Sequence, residues 1–300
     1  LSAAQTVPAL NPNGFLPKIN STLWDASAVV GAKGKIAGFQ WDLSQTLGRN
    51  SHNFFITNTN NASFGPASPT EFNSGTLVFS QGTTNLDLFR AVDIGVPLRV
   101  AFGAEYRRDQ YEIEAGEPMS WQNGGRDRFG NVSATPAGAG AQVFPGFRPT
   151  DAKNVSRSNT SLYLDLESDL AKWLLVGAAV RTEDYSDFGR QTTGKGTFRF
   201  APVKWGALRG AYATGFRAPS LQQNWFTATS TNFIGGVPFD IRTFAVASRE
   251  AQLLGARPLQ PETSTNSSIG VTLTPTSALT VTVDAYDIRI DDRIVLSDNF

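Results

Sequence analysis

The chain has 300 residues, 40% of them hydrophobic and 11% aromatic, ample for a folded structure rather than a disordered one. Its 26 Lys+Arg balance 26 Asp+Glu, so no net field draws nucleic acid or an anionic surface toward it, and no nucleic-acid partner is expected. The absence of cysteine excludes disulfides, thiolate metal sites and a cysteine nucleophile, and the single histidine, His52, argues against a Ser-His-Asp triad or a multi-histidine zinc site.

No run approaches the roughly 18 consecutive apolar residues of a transmembrane helix; the longest candidate is the eight residues Trp173 to Val180. Alternation with a period of two recurs instead, the mark of strands with one greasy and one polar face. In chain order, strands are predicted over 36–48 and 51–61, joined by a Gly-Arg-Asn-Ser turn at 48–51 that leaves His52 as a solvated turn residue. The run 84–94 alternates worst, because Arg90 falls in phase with Leu86 and Leu88. From 97 to 111, Leu98, Val100, Phe102, Ala104 and Tyr106 alternate with Arg99, Gly103, Glu105 and Arg107. From 159 to 170, Leu162, Leu164, Leu166 and Leu170 oppose Tyr163, Asp165, Glu167 and Asp169; then Leu174, Val176, Ala178 and Val180 oppose Gly177, Ala179, Arg181 and Glu183. Strands over 190–202 and 206–217 follow. Two more close the series, with Ile269, Val271 and Leu273 on one face of the first, and Leu279, Val281, Val283 and Ala285 on one face of the second.

The connections alternate in length. Short turns are predicted at 48–51, 94–97, 170–173, 202–206 and 274–278, and polar loops at 61–84, 112–157 and 217–261, with one brief loop at 186–190. Short on one side and long on the other is the pattern of outer-membrane barrels. A soluble β-sandwich also alternates, but its strands usually run about five or six residues, whereas these reach about 11 to 15, enough to cross a tilted bilayer. Trp173 and Trp205 fall at short turns, where a barrel places its aromatic girdle and a sandwich would place core tryptophans. The fold class predicted is therefore all-β: part of a transmembrane antiparallel up-and-down β-barrel. Ten strands in 300 residues is 30 per strand, so a barrel of about 22 strands would need roughly 660. Leu1 opens no charged-then-apolar leader and the chain stops at Phe300 just after a strand-like run, so both ends read as cuts within a longer protein. A ten-stranded barrel closed on itself is the competing reading.

Residues 211–221 read AYATGFRAPSL; PLQPETSTNSSIGVTLTP follows from 258, and LTVTVDAYDIRIDDRIVLS after it. These resemble the C-terminal half of the TonB-dependent receptor barrel, with three separated motifs in the family's order. WDLSQTLGRN at 41–50, NASFGPASPTEF from 61, GAEYRRDQYEIEAGEP at 103–118 and RTEDYSDFGRQTTGK at 181–195 resemble the same family's middle barrel, so the likeness covers nearly all of residues 1–300, a single barrel domain. It implies a Gram-negative outer-membrane importer of a scarce nutrient, with the lipid bilayer, a plug domain, the TonB complex and a small-molecule ligand as partners. Neither plug nor TonB box is found in these residues. A passive porin or channel is the alternative reading; an outer-membrane enzyme, the third, would need a nucleophile and base that one turn histidine does not supply.

Two sets of residues are candidates for a role. Gly215, Phe216, Arg217 and Pro219 read as wall structure: Gly215 ends a strand where the chain turns, Pro219 cannot donate a ladder hydrogen bond, and Arg217 is long enough to reach carboxylates, with Glu262 and Asn266 as expected partners at the rim. The long-loop aromatics Trp121, Phe144 and Phe147, then Trp225, Phe226, Phe233 and Phe239, either present a platform for an organic ligand or pack the loops against one another. Lumen charges of both signs, such as Arg99, Glu105, Asp165, Glu167, Asp169, Arg181, Glu183, Arg199, Arg209 and Asp284, suit salt bridges to neighbouring strands and a plug. Paired carboxylates such as Asp165 and Glu167 belong to that interior rather than to glycosidase or calcium chemistry, no catalytic, metal or cofactor site is expected, and the Gly-Ala run Pro136 to Gly140 reads as a flexible surface loop.

Overall fold

Alternating residues give each long run two unlike faces. The structure, a computed structural model describing residues 3–234 and 237–297, assembles ten such runs into one antiparallel sheet. Its strands are β1 (Lys18–Ile36), β2 (Phe39–Thr57), β3 (Glu71–Asp93), β4 (Pro97–Glu114), β5 (Lys153–Ala171), β6 (Leu174–Tyr185), β7 (Gly189–Val203) and β8 (Gly206–Arg217), then β11 (Glu262–Thr276) and β12 (Leu279–Asp291). Each pairs with its neighbour in the chain, except that β8 pairs with β11 across an inserted hairpin of β9 (Ala228–Ile234) and β10 (Val237–Thr243). β1 and β12 are the two edges of the sheet, not partners of each other.

Ten strands agree with the sequence reading, but two departures offset each other. The predicted turn at 48–51 does not exist: β2 runs straight through it, Gly48 pairing with Ser27 on one side and Gln81 on the other. The turn lies instead at Ala37 and Gly38, both with positive φ (50° and 82°), the two-residue loop whose twist matches a hairpin. β1 precedes it and has no counterpart in the sequence reading, because Leu23, Trp24, Val29 and Val30 fall on both faces and Gly31 and Gly34 interrupt them. Gly34 is nevertheless covered, a Cβ there meeting the Trp41 ring at 2.9 Å. His52 consequently sits within β2, its ring 4.2 Å from Phe54, rather than at a solvated turn. β3 starts at Glu71 and β5 at Lys153, so the loops 58–70 and 115–152 are shorter than predicted.

One face of the sheet is apolar and exposed. Register aligns Trp41, Leu88, Phe102, Leu164 and Val180 in one row across β2 to β6, and Leu43, Leu86, Ala104 and Leu162 in the next. Leu162, Leu164, Val180, Leu279, Val281 and Val283 are exposed as expected of lipid-facing residues, and Leu166 and Val176 are half-exposed on the same face. A continuous apolar surface of this extent is incompatible with water and fits a bilayer. Trp173 and Trp205 stand exposed at the turns after β5 and β7, Trp173 meeting Phe200 edge-on at 5.4 Å.

Candidate functional site: the lumen wall and the loop cluster

The opposite face carries the charges, and glycines decide which of them meet. Arg209 on β8 and Asp284 on β12 stand two strands apart, yet the guanidinium bonds both carboxylate oxygens at 2.8 Å. Between them lies Gly270, where a Cβ would fall 2.0 Å from Asp284 Oδ1. Gly103 does the same on β4, letting the Tyr163 hydroxyl donate to Asp87 across it. Arg99 bonds Glu167 at 2.7 Å and Asp169 at 3.0 Å, and Arg181 reaches Glu183 at 2.7 Å and Glu105 at 3.3 Å. These pairs realise the wall-to-wall salt bridges expected of mixed lumen charge.

Nearer the loops the network is buried. Asp109 takes the Arg157 guanidinium at 3.2 Å, both side chains under a tenth exposed, and accepts from Gln81 at 2.9 Å. Arg157 also donates to the carbonyl of Pro219, so the wall grips the start of the loop 218–261. In that motif Gly215 lies inside β8 rather than at its end, and Pro219 is fully buried. Arg217 pairs with Glu262 at 3.5 Å; Asn266 is not its partner, lying opposite Ala213 and donating to Ser264 Oγ at 3.3 Å. Phe216 stands edge-on to Tyr185 at 6.0 Å. Ser220 then caps a one-turn helix, α1 (Leu221–Trp225), in a reciprocal box with Gln223.

The loops meet in an apolar core of Tyr111, Ile113, Phe147 and Leu221, with Phe54, Phe144, Trp225 and Phe226 packed against it. Phe144 stacks on Phe54 at 4.6 Å and meets Phe147 edge-on at 5.7 Å, which in turn meets Phe226 at 6.2 Å. Four of the sequence candidates thus hold the two long loops together. Trp121 is half-buried, its indole N–H donating to the Gly116 carbonyl at 3.1 Å. Phe233 lies on β9, and its side chain is outside the described residues. The rings that stand out are Phe239 and, unnoticed in the sequence, Phe129 with Arg128 over it at 4.7 Å. The 136–140 run is not a loose surface loop: Gly138 and Gly140 are buried, and a Cβ on Gly140 would meet Pro145 at 2.8 Å.

Polar groups lock the same assembly. Asn61, fully buried, donates to the carbonyls of Met119 and Gln122 at 2.8 Å each, and its oxygen accepts from Ser63 Oγ at 2.7 Å. Buried Asp151 accepts from Thr227 Oγ1 at 2.7 Å and pairs with Arg242 at 3.3 Å, tying the 115–152 loop to the hairpin. At the exposed tip, the Asn131 side chain and the backbone amides of Asn131 and Phe129 hold the Asp127 carboxyl below the usual carboxylate range. Asn61→Ala removes the donor to two part-buried carbonyls and the acceptor of the buried Ser63 hydroxyl, so we expect a loss of about 1–3 kcal/mol confined to the loops. Limited proteolysis of the full-length protein should show faster nicking within 115–152 while the strands stay resistant; an unchanged rate would mean the loops are held otherwise.

Ten membrane-length strands, apolar outside and ion-paired inside, with short turns at one end and packed loops at the other, define part of a transmembrane β-barrel wall. The family model "TonB dependent receptor-like, beta-barrel" matches residues 7–300, and the chain belongs to that family. No curated protein sequence matches. Among solved structures, the siderophore receptor PirA of Acinetobacter baumannii superimposes with a TM-score of 0.62 at 14% identity, over 91% of this chain and 35% of that one. A variant of the ferric enterobactin receptor PfeA of Pseudomonas aeruginosa gives 0.61 at 13% identity, over 90% and 35%. The RagAB peptide transporter gives 0.57 at 13% identity, over 91% and 30%. The chain therefore spans about a third of the length of the solved structures it matches, and the likeness at these identities is one of fold.

Proposed function

We propose that residues 1–300 form a barrel-wall domain of a TonB-dependent importer in the outer membrane of a Gram-negative bacterium, which captures a scarce nutrient at its long loops. The observation that carries this reading is the two-faced sheet in a chain of this family: a lipid-compatible outside and an inside whose pairs Arg99–Glu167 and Arg209–Asp284 remain about half exposed, open to a plug domain of the full-length protein. Energy comes from the TonB complex through that plug. The ligand meets the loops first, because an importer must bind before any energy is supplied. Phe144, Phe147, Trp225 and Phe226 hold the loops in shape from their core, and Trp121 and Phe233 are the further residues we assign to recognition. One structural relative is described as a siderophore receptor and another as a ferric enterobactin receptor, so ferric siderophores are the first probes.

The test is uptake of radio-iron siderophores by cells bearing the full-length protein, with and without a protonophore. We expect uptake to stop when the proton gradient collapses, and Trp121→Ala, Trp225→Ala and Phe226→Ala combined to weaken binding at least about tenfold while the barrel stays in the membrane. Uptake indifferent to the gradient would point to a passive channel. Affinity unchanged in the triple variant would move recognition to the lumen or the plug.

A further inference from the structure

The outer face does not stay apolar up to the loops. Beyond the row Val30, Gln45, Thr84 and Tyr106, register places Ala28, Leu47, Gly82 and Arg108 in the next row, then Ala26, Arg49, Ser80 and Gln110. Three of these residues, Ala26, Ala28 and Gly82, have little or no side chain, and they leave a notch of about 430 Å³ on the wall. Leu47 lines it, and Arg49 and Arg108, both exposed, border it.

These two arginines differ from those of the lumen. Arg99, Arg107, Arg157, Arg181 and Arg209 all hold carboxylates. Among the described residues, the side chains of Arg49 and Arg108 make no ion pair or hydrogen bond. By register the carboxylates nearest them on this face are Glu112, one row further toward the loops, and Asp184, in the Tyr106 row on β6; Glu112 pairs with neither arginine and Asp184 pairs with Arg190. Two unneutralised guanidiniums on the border of one dent, in neighbouring rows across β3 and one Gln45–Thr84 row beyond the apolar row of Leu43 and Leu86, are the complement of a molecule with a phosphorylated head and hydrocarbon tails. Guanidinium forks match phosphate geometry, and their position on the loop side of the apolar belt is the depth of outer-leaflet headgroups.

We propose that this notch binds the phosphorylated headgroup of an outer-leaflet glycolipid, Arg49 and Arg108 holding the phosphate while an acyl chain runs down over Leu47, Leu43 and Leu86. The site rests on the reading that this face meets lipid. It would seat the extracellular end of β1 to β4 in the leaflet.

The test uses the full-length receptor in detergent, titrated with bisphosphorylated lipid A, its dephosphorylated form, or inorganic phosphate, with bound lipid counted by native mass spectrometry. Against the wild type, Arg49→Gln with Arg108→Gln should weaken lipid A binding roughly 30-fold, the two cationic contributions together. Arg49→Lys with Arg108→Lys should retain much of it, and the dephosphorylated lipid should bind all three proteins alike. Equal retention of lipid A by the glutamine pair would overturn the proposal, as would inorganic phosphate competing as well as the lipid, which would leave an anion site only. Heat-modifiable migration in the same samples reports the barrel itself. Were wild type to lack it, the wall reading would fail, not the lipid site.

Discussion

Arginine at Leu164 or Val180 is expected to cost the full-length protein about 2–4 kcal/mol, and arginine at Asp165 or Thr282 far less. Leu164 and Val180 lie in the row that also holds Trp41, Leu88 and Phe102, midway between the short turns and the Tyr106 row, where a guanidinium on the outer face has neither water nor a carboxylate. Thr282 pairs with Thr272 on the face that carries Asp284, and an arginine there finds polar company. Equilibrium unfolding from lipid vesicles measures the difference. Equal costs on the two faces would remove the assignment of which side meets lipid.

The second large effect concerns the buried wall. Asp109→Ala leaves the Arg157 guanidinium, 9% exposed, without the carboxylate it holds at 3.2 Å. A buried charge stripped of every partner costs about 3–5 kcal/mol; here Asp187, 3.8 Å from the same guanidinium, stays and offsets part of that. We therefore expect Asp109→Ala to cost a few kcal/mol, toward the lower end of that range, and Arg157→Met added to it to recover part of the loss. The same unfolding measurement decides. If the double variant is as unstable as the sum of the singles, the pair is not coupled, and Arg157 acts chiefly through the Pro219 carbonyl it also bonds.

How much of this was legible beforehand follows from where period two is strong. β4, β5, β6 and β12 carry clean alternation, and the sequence places both their existence and their faces; the pairs Arg99–Glu167 and Arg209–Asp284 join residues already read as lumen charges. β1 was illegible because it is an edge strand with apolar residues on both faces, and residues 48–51 misled because their turn-like composition sits where ladders on both sides hold the backbone extended. The true turn, Ala37-Gly38, hinges on a single glycine beside an alanine of positive φ, a weaker signal than Gly-Arg-Asn-Ser.

The loops show the other boundary. Their aromatics were visible as a class, but composition could not separate Phe147, 2% exposed at the centre of the loop core, from Phe129, 58% exposed at a tip. That distinction depends on which loop folds over which, and on staples such as Asn61 to Met119, which join positions 58 residues apart. Likewise, Arg49 and Arg108 lie on different strands, and only register puts them in neighbouring rows across β3.

The most direct test of the barrel-wall account is thiol accessibility in living cells, because these 300 residues contain no cysteine and a single introduced one is unambiguous among them. In the full-length protein, Val132→Cys on the long 115–152 loop should react with a membrane-impermeant maleimide in intact cells. Lys172→Cys, at the turn between β5 and β6, should react only once the outer membrane is permeabilised, and Leu164→Cys should resist in both. Labelling of the Lys172 position in intact cells alongside Val132, or of Leu164 in either state, would contradict the account.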